Sequence, residues 1–290
     1  MEAEKNRLYS EHISNPKFRI LRNVIIGAIL IFLVIVVLFP LIYMVAWSFG
    51  PNVTVSSSMY TLFPRTFTLE SYQAYFEKEY SLKWLWNSLV VATCTVISNV
   101  IFASMAGYAF SKIRFKGHAF LFFLVLVAMM VPYQVTQVPL YILFVNKFHL
   151  TNTYASLILP ACVMPYNIFL AKQFFGSIPT SLIESAKVEG ASQIRIFISI
   201  ILPLSKTILA VMAITTFVGS WNTFFWPFLV TSDESMFTIQ VALKSFKTST
   251  ETLLSPMMAA ATVSALPVFV LFFALQKYFL EGVTVGAVKG

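Results

Sequence analysis

The sequence predicts an all-α integral membrane protein with six transmembrane helices. The chain has 290 residues, of which 58% are hydrophobic and only 11% are charged, whereas soluble domains carry about 25% charged residues. The mean hydropathy is +0.79. Six apolar stretches approach or exceed the roughly 20 residues that cross a bilayer as a helix, and Lys and Arg concentrate between alternate stretches.

The six predicted spans are separated by polar segments of unequal length. Charged residues occur only near the ends of two spans, Lys206 in the fifth and Lys277 in the sixth, where they lie close enough to reach the interface. The predicted spans are Val24–Trp47, Leu85–Phe110, Ala119–Val145, Tyr154–Ala171, Leu204–Val230 and Ala259–Phe279. The first begins well inside the chain and no small-residue cleavage site follows it, so we expect an uncleaved anchor.

The positive charge is distributed asymmetrically between the two sides of the predicted membrane. Of the 20 Lys and Arg residues, 14 lie in the N-terminal segment, the second–third connection, the fourth–fifth connection and the C-terminal segment. The positive-inside rule therefore places both termini in the cytoplasm. Basic residues at span ends, rather than on one face, also disfavour a nucleic-acid partner.

Residues typical of catalytic, nucleotide-binding or metal sites are missing from the predicted spans. No GxxxxGK[ST] phosphate loop occurs, no Asp or Glu lies in a span, and all three His residues lie outside the spans. Cys94 and Cys162 have no CxxC partner and are expected to be small core residues. We therefore predict no catalytic residue, no metal site and no bound cofactor. An intramembrane enzyme and a proton-coupled carrier are disfavoured, whereas a sodium-coupled carrier or a channel stays open.

The cytoplasmic segment 175–203 is the most informative part of the sequence. Ser181 to Glu184 match a capping box, and Pro179 is placed to end the preceding helix. A short helix then runs to Glu189, and Gly190 permits a turn.

A second amphipathic helix is predicted after that turn. Ile194, Phe197, Ile198 and Ile201 follow helical spacing, and Pro203 ends the pattern. This helix–turn–helix is either a hairpin lying on the lipid surface or a docking element for another protein.

The same segment resembles the cytoplasmic EAA loop of ATP-binding-cassette importer permeases. The loop pattern is met by Glu184-Ser185-Ala186, Gly190, Ile200 and Leu202-Pro203 at matching spacing. Ser185 replaces the central Ala, and Glu189 stands where the family often has Asp. The resemblance implies that this loop seats in a cleft of an ATPase subunit and transmits its motion. The residues assigned to it are Glu184, Ser185, Ala186, Glu189, Gly190, Ala191, Leu202 and Pro203.

Three further stretches resemble the carbohydrate branch of these importers, the maltose-type second permease. They are Val131–Pro160, Ser220–Val230 and Leu275–Gly290. The resemblance implies the MetI-like permease fold of type I importers. It divides the chain into residues 1–83, with the first span and outer loop, a five-helix core at 84–280, and a cytoplasmic tail at 281–290.

Two polar clusters are candidates for contacting a sugar. Gln134 and Gln137, between Pro132 and Pro139, either line a wet cavity or mark a helix end at the interface. Gly219, Ser220, Trp221, Asn222 and Phe225 combine hydrogen-bonding and aromatic groups of the kind that sugars need. Trp226 is instead expected in an interface belt or helix contact, and Asn167 is a weaker candidate.

The resemblance implies a permease subunit that imports a sugar by alternating access. Its partners would be a second homologous permease, two ATPases that use ATP and Mg²⁺, and an extracytoplasmic solute-binding protein. Oligosaccharides, disaccharides and glycerol-3-phosphate all occur in this branch. A phosphorylated substrate favours Arg or Lys at the pore. Because neither lies deep in a predicted span, we expect a neutral sugar unless the second permease supplies the charge.

Overall fold

A computed structural model describes residues 16–55, 61–247 and 252–287. Within these ranges the protein is helical and has no strand, with only an isolated bridge between Thr54 and Leu253. The α-helices that the description needs are α1 Pro16–Ser48, α2 Glu70–Phe76, α3 Ser81–Lys112, α4 His118–Met130, α5 Tyr133–Tyr141, α6 Tyr154–Ile158, α7 Pro165–Gly176, α8 Thr180–Val188, α9 Gln193–Ile196, α10 Lys206–Trp221, α11 Phe225–Val230, α12 Ile239–Ala242 and α13 Leu254–Ala287.

Three of these helices are long and apolar enough to span a membrane by themselves, namely α1, α3 and α13. Three bent pairs bring the number of candidate spans among the described residues to six. The pairs bend by 95° between Met130 and Tyr133, by 43° between Ala161 and Pro165, and by 80° between Leu204 and Lys206. The all-helical prediction is confirmed, and six is the upper number of spans.

The predicted fifth span, Leu204–Val230, is wrong as a single helix. Helix α10 ends at Trp221, and α11 starts at Phe225. The physical reason is Pro227, which has no N–H to donate and whose ring conflicts with a helical carbonyl four residues earlier. Prolines also accompany the breaks at Pro132 and at Pro165, which occupies the first turn of α7.

The chain packs as two units. The first comprises residues 16–55, 61–74 and 252–262 of the described chain. Within it, the Trp47 indole N–H donates to Leu62 O at 3.3 Å, and the Ser71 hydroxyl donates to Gly50 O at 2.8 Å. Helix α1 exposes apolar side chains from Ile20 to Leu41, which suits a helix whose neighbours are lipid or other subunits.

The second unit comprises residues 75–247 and 263–287 of the described chain. Its centre is α3, which packs along α7 and α10. At the α3–α7 crossing, a Cβ added at Gly107 would lie 2.5 Å from the Ala171 Cβ and 2.8 Å from the Lys172 backbone N. Glycine therefore permits this close approach of two helix backbones, as small residues do in membrane proteins.

We expect Gly107→Ala to destabilise the protein by roughly 1–3 kcal/mol, the range for overpacking. The added methyl group meets backbone atoms, which move less readily than a flexible side chain. Gly176→Ala, in α7, is the matched control because a Cβ there meets nothing within 4 Å. Thermal unfolding of both variants in detergent checks the prediction. Equal midpoints for the two variants would show that the α3–α7 crossing tolerates a wider spacing.

The segment that follows α11 is packed against α3 over its described residues 231–247. Ile239, Val241 and Ala242 are fully buried. The start of α3 holds this segment, because Trp84 Nε1 donates to Glu234 O at 2.8 Å and Asn87 Nδ2 donates to Phe237 O at 3.0 Å. Polar side chains one turn apart on α3 thus bind backbone carbonyls of this segment. Near the same segment, the Ser235 backbone N–H donates to the Asp233 carboxylate and lowers the pKa of Asp233.

Candidate functional site: a docking loop and an inter-span cavity

The predicted helix–turn–helix forms, but its start differs from the prediction. Helix α8 runs from Thr180 to Val188, and Pro179 occupies the position before its first turn. No side chain caps the helix, so the capping box predicted at Ser181 and Glu184 is wrong. Pro179 fixes the backbone angle at the helix start, and the helix begins two residues earlier than the box requires.

Gly190 closes α8 with a Schellman motif. Its φ of +79° is left-handed. The Gly190 N–H donates to Lys187 O at 3.0 Å, and the Ala191 N–H donates to Ala186 O at 2.9 Å. These bonds satisfy the last carbonyls of the helix. The turn predicted at Gly190 is confirmed. Any other residue at this position would be disfavoured by its backbone conformation alone, because a Cβ there would meet nothing within 4 Å.

The second arm of the loop is helical, but it buries a different face from the one predicted. Ile194 and Ile198 are exposed by 72% and 56%, whereas Ile196 and Ile201 are fully buried. The reason is a π-helix at Phe197–Ile201 between α9 and a short α-helix at Leu202–Leu204. Hydrogen bonds to the fifth residue place Ile196 and Ile201 on one face, which a search for 3.6-residue periodicity misses.

The residues assigned to the docking loop divide between an outer and an inner face. Glu184, Ser185, Glu189, Gly190 and Pro203 are exposed, Ala191 and Leu202 are half-buried, and Ala186 is buried.

The inner face of α8 belongs to the core of the spans. Ile183 and Ala186 pack in one hydrophobic cluster that also contains Ala103 of α3, Phe175 of α7 and Met212 of α10. A displacement of α8 therefore presses directly on packed side chains of α3, α7 and α10. Close-packed interiors transmit such shifts.

Two polar contacts that the sequence analysis missed fix the loop against α3. The Lys112 Nζ donates to Ile178 O at 2.6 Å, and the Tyr108 hydroxyl donates to the Gln193 Oε1 at 2.7 Å. Both donors lie at the end of α3, whereas both acceptors lie more than 60 residues further along the chain. No local signal in the sequence pairs them.

A cavity of about 230 Å³ lies where the helix breaks meet. One wall is Tyr133, directly after the break at 131–132, and a second is Pro160, Ala161 and Met164 around the break at 162–164. The remaining lining residues come from α3, from α6 and from the chain on both sides of the break at 222–224. They are Ser88, Val91, Leu157, Gly219, Ser220, Thr223, Trp226, Pro227 and Thr238. Interrupted helices inside a membrane are tolerated where they face protein or a wet cavity.

The structure brings only two of the predicted sugar contacts, Gly219 and Ser220, to this cavity. Trp221 is buried, stacks on Phe217 at 5.5 Å and donates to Ser264 O at 3.1 Å. Asn222 and Phe225 are exposed at the nearby break, without lining the cavity.

The predicted glutamine pair is divided by the structure. Gln134 is exposed, whereas Gln137 is buried and its Oε1 has no hydrogen-bond partner within the described ranges. Neither lines the cavity. Trp226, expected in an interface belt or helix contact, is buried and donates to Ser156 O at 2.8 Å.

Asn167 lies in a buried polar network rather than on the cavity wall. Its Nδ2 donates to the Asn99 Oδ1 at 3.1 Å and to the Thr216 Oγ1 at 2.8 Å. The Asn99 Oδ1 also accepts from the Met164 N–H at 2.8 Å. The network therefore joins α3, α7 and α10 at the break in the fourth span, and it satisfies backbone groups that the break leaves open.

Thr238 is a cavity residue that the sequence analysis missed. It is 5% exposed, and its Oγ1 has no hydrogen-bond partner among the described residues. A buried hydroxyl of this kind is costly unless a water or a ligand meets it. The sequence analysis missed it because Thr238 lies outside the predicted spans, eight residues after the end of the stretch Ser220–Val230.

We expect Thr238→Val to leave stability unchanged or slightly higher while it weakens sugar uptake. The substitution removes an unpaired hydroxyl at nearly constant volume, and one lost ligand hydrogen bond is worth about 0.5–1.5 kcal/mol. Thr216→Val is the matched control, because it removes a hydroxyl that is bonded to Asn167 and should lower the unfolding midpoint. Unfolding and initial uptake rates, measured on both variants, decide. Wild-type uptake by Thr238→Val would remove Thr238 from the transport pathway.

The chain belongs to the family of binding-protein-dependent transport system inner membrane components, whose model matches residues 99–285. It is 36% identical over 263 residues to the arabinooligosaccharides transport system permease protein AraQ of Halalkalibacterium halodurans, covering 89% of this chain and 94% of that protein. It is 34% identical over 271 residues to the trehalose/maltose transport system permease protein MalG of Thermococcus litoralis, covering 92% and 96%. The family resemblance is confirmed, and these relatives are transport permease subunits.

Solved structures show the same fold. A chain of a bacterial ABC transporter involved in the import of the acidic polysaccharide alginate superposes with a TM-score of 0.80 at 22% identity, over 91% of this chain and 98% of that one. A chain of the inward-facing MetNI methionine ABC transporter gives 0.52 at 14% identity, over 68% and 93%. The predicted MetI-like permease fold is confirmed.

Proposed function

We propose that this chain is one of two permease subunits of an ATP-driven importer that moves an oligosaccharide or disaccharide into the cytoplasm. Its partners are a second homologous permease, two ATPase subunits that bind ATP and Mg²⁺, and an extracytoplasmic solute-binding protein. The chain itself binds no cofactor and breaks no bond. Both of its termini lie in the cytoplasm of a bacterial cell, which follows from the distribution of Lys and Arg.

The observation that carries the proposal is the two-faced character of α8. Its outer face exposes Glu184, Ser185 and Glu189, and its inner face packs into the cluster shared by α3, α7 and α10. A short exposed helix that ends in the Schellman motif at Gly190 suits docking into a cleft of another protein. The buried face then carries a rigid-body movement of that protein into the spans.

This connection supports a mechanism of alternating access. Loaded binding protein docks on the outer side, and ATP closes the two ATPase subunits on the cytoplasmic side. The closing movement pushes α8, and through it α3 and α10, so that the cavity opens outward and receives the sugar. Hydrolysis then resets the assembly. The energy comes from the ATPase subunits, whose differential affinity for the two states shifts the equilibrium between them.

The cavity between the helix breaks supports a neutral substrate. None of its lining residues is charged, and it combines hydroxyls of Ser88, Ser220 and Thr238 with the rings of Tyr133 and Trp226. Hydroxyl groups and aromatic faces are the partners that sugars require. At about 230 Å³ the cavity is smaller than the roughly 300–1,000 Å³ of most ligand sites. The second permease is therefore expected to supply the other half of the pathway.

Reconstitution tests the proposed function directly. The chain is purified with its co-expressed neighbouring permease, ATPase and binding protein, and labelled maltooligosaccharide or arabinooligosaccharide uptake into proteoliposomes is measured. We expect uptake only with ATP and loaded binding protein, and no ATP hydrolysis by the purified chain alone. Uptake that continues at the same rate without ATP would instead establish an ATP-independent carrier or channel.

A further inference from the structure

A second cleft, separate from the cavity between the helix breaks, lies where α3 ends and α4 begins. Its volume is about 810 Å³. Its walls carry the cationic side chains of Lys112 and Arg114, the imidazole of His118 and the rings of Phe115 and Phe120, and Thr180 of α8 lies at its edge. We propose that this cleft binds the phosphate headgroup of an anionic phospholipid.

The first support is the depth of the cleft. Lys112 is the last residue of a helix long and apolar enough to span the membrane, and His118 is the first residue of the next apolar helix. The connection between them therefore lies at a bilayer boundary, where lipid phosphates lie. This placement holds whichever side of the membrane the connection faces.

The second support is uncompensated charge. The sequence contains no Asp or Glu between Glu79 and Glu184. In the described part of the chain, neither Lys112 nor Arg114 is within ion-pair distance of a carboxylate. Each Lys or Arg near a membrane surface raises the association constant for anionic lipid about fivefold.

The third support is that the cationic groups are partly preorganised. The Lys112 Nζ donates to Ile178 O at 2.6 Å and to Gly176 O at 3.4 Å, which leaves one ammonium hydrogen for an anion. The His118 ring contacts Phe110 O through Nε2 at 2.8 Å and packs against Phe115 at 5.3 Å between ring centroids. Arg114 is exposed and therefore able to close over a headgroup with its two-pronged guanidinium.

Mixed polarity favours a lipid over a free phosphate ion. Phe115 and Phe120 are 37% and 63% exposed beside the charged groups. An inorganic phosphate gains nothing from these rings, whereas the glycerol and acyl chains of a phospholipid cover them. The headgroup would rest against the first turn of α8, the helix proposed above to dock the ATPase, although lipid binding itself does not depend on transport.

Native mass spectrometry of the full chain, purified with the subunits that accompany it, tests the proposal. Phosphatidylglycerol and phosphatidylcholine with the same acyl chains are titrated separately. We expect the wild type to prefer phosphatidylglycerol, and Arg114→Gln to lower that affinity about fivefold. Lys116→Gln is the matched control, because it removes the same charge from the same connection outside the cleft and should change little.

Three results would overturn the assignment. The first is equal phosphatidylglycerol affinity in the Arg114→Gln and Lys116→Gln variants, since the cleft would then contribute nothing specific. The second is equal retention of phosphatidylglycerol and phosphatidylcholine by the wild type, since charge would then be irrelevant. The third is displacement of phosphatidylglycerol by millimolar inorganic phosphate, which would make the cleft a phosphate site rather than a lipid site.

Discussion

Gly190→Val is expected to weaken both ATPase association and sugar uptake without preventing insertion of the subunit. Gly190 holds a φ of +79° in the turn that ends α8, and an L-residue in this region costs roughly 1–2 kcal/mol, with β-branching adding to the strain. Relief of that strain reorients α8. Because about 1.4 kcal/mol is a factor of ten in an equilibrium constant, we expect ATPase co-purification and uptake to fall about tenfold.

Three substitutions at Gly190, to Asn, Ala and Val, separate the effect of backbone strain from that of steric collision. A Cβ at this position meets nothing within 4 Å, so a side chain causes no collision. Asn tolerates the left-handed region better than other residues, and therefore Gly190→Asn should retain most uptake, Gly190→Ala less and Gly190→Val least. Uptake and ATPase co-purification are measured from the same membranes. Equal wild-type values across the series would show that the turn does not set the position of the docking helix.

Gly219→Leu is expected to abolish uptake while the complex still assembles. Gly219 lines the cavity between the helix breaks, and a Cβ there meets nothing within 4 Å. A leucine side chain therefore extends into the cavity of about 230 Å³ without displacing the backbone. Leu is also a better helix former than Gly by roughly 0.5–1 kcal/mol, so the unfolding midpoint should not fall.

Gly219→Ala provides the matched control, since one methyl group leaves most of the cavity open and should reduce uptake only partly. Initial uptake rates in proteoliposomes, with ATPase co-purification as the assembly check, distinguish the two variants. Wild-type uptake by Gly219→Leu would place the transport pathway elsewhere. A loss of ATPase co-purification would instead mean that the substitution acts on assembly.

The sequence predicted features that depend on composition and on short-range backbone geometry. Apolar length located the helices. The left-handed turn at Gly190 followed from the conformational freedom of glycine. Small residues let helices approach, and the structure places Gly107 against Ala171. The family was recognised from the spacing of Glu184, Gly190 and Pro203, which is confirmed by the family match.

Features that depend on distant pairing escaped prediction. The π-helix at Phe197–Ile201 changed which isoleucines are buried, and its hydrogen-bond pattern has no simple periodic signal. The Lys112–Ile178 contact joins residues that are far apart in sequence, and Thr238 reaches the cavity wall from outside the predicted spans. Trp221 and Asn167 were predicted near a sugar because they are polar or aromatic in apolar spans. The structure gives both of them hydrogen-bond partners within the chain.

The functional roles of the docking loop and of the predicted sugar contacts stay predictions. Gly219 and Ser220 line a cavity, Glu184 and Ser185 are exposed on α8, and Glu189 is exposed directly after it. These placements agree with the proposed roles, which are docking to an ATPase subunit and contact with a sugar. The chain's orientation in the membrane is likewise a prediction from its charge distribution.

Site-directed cross-linking tests the docking of α8 most directly. Ser185 and Ser232 are both exposed and are predicted to lie on opposite sides of the membrane. Each is replaced by Cys in a chain whose Cys94 and Cys162 are replaced by Ser, and a short bifunctional reagent is added to membranes that contain the co-expressed ATPase. The account predicts an adduct of this chain with the ATPase from position 185 and none from position 232. No ATPase adduct from position 185, or equal adducts from both positions, would contradict it.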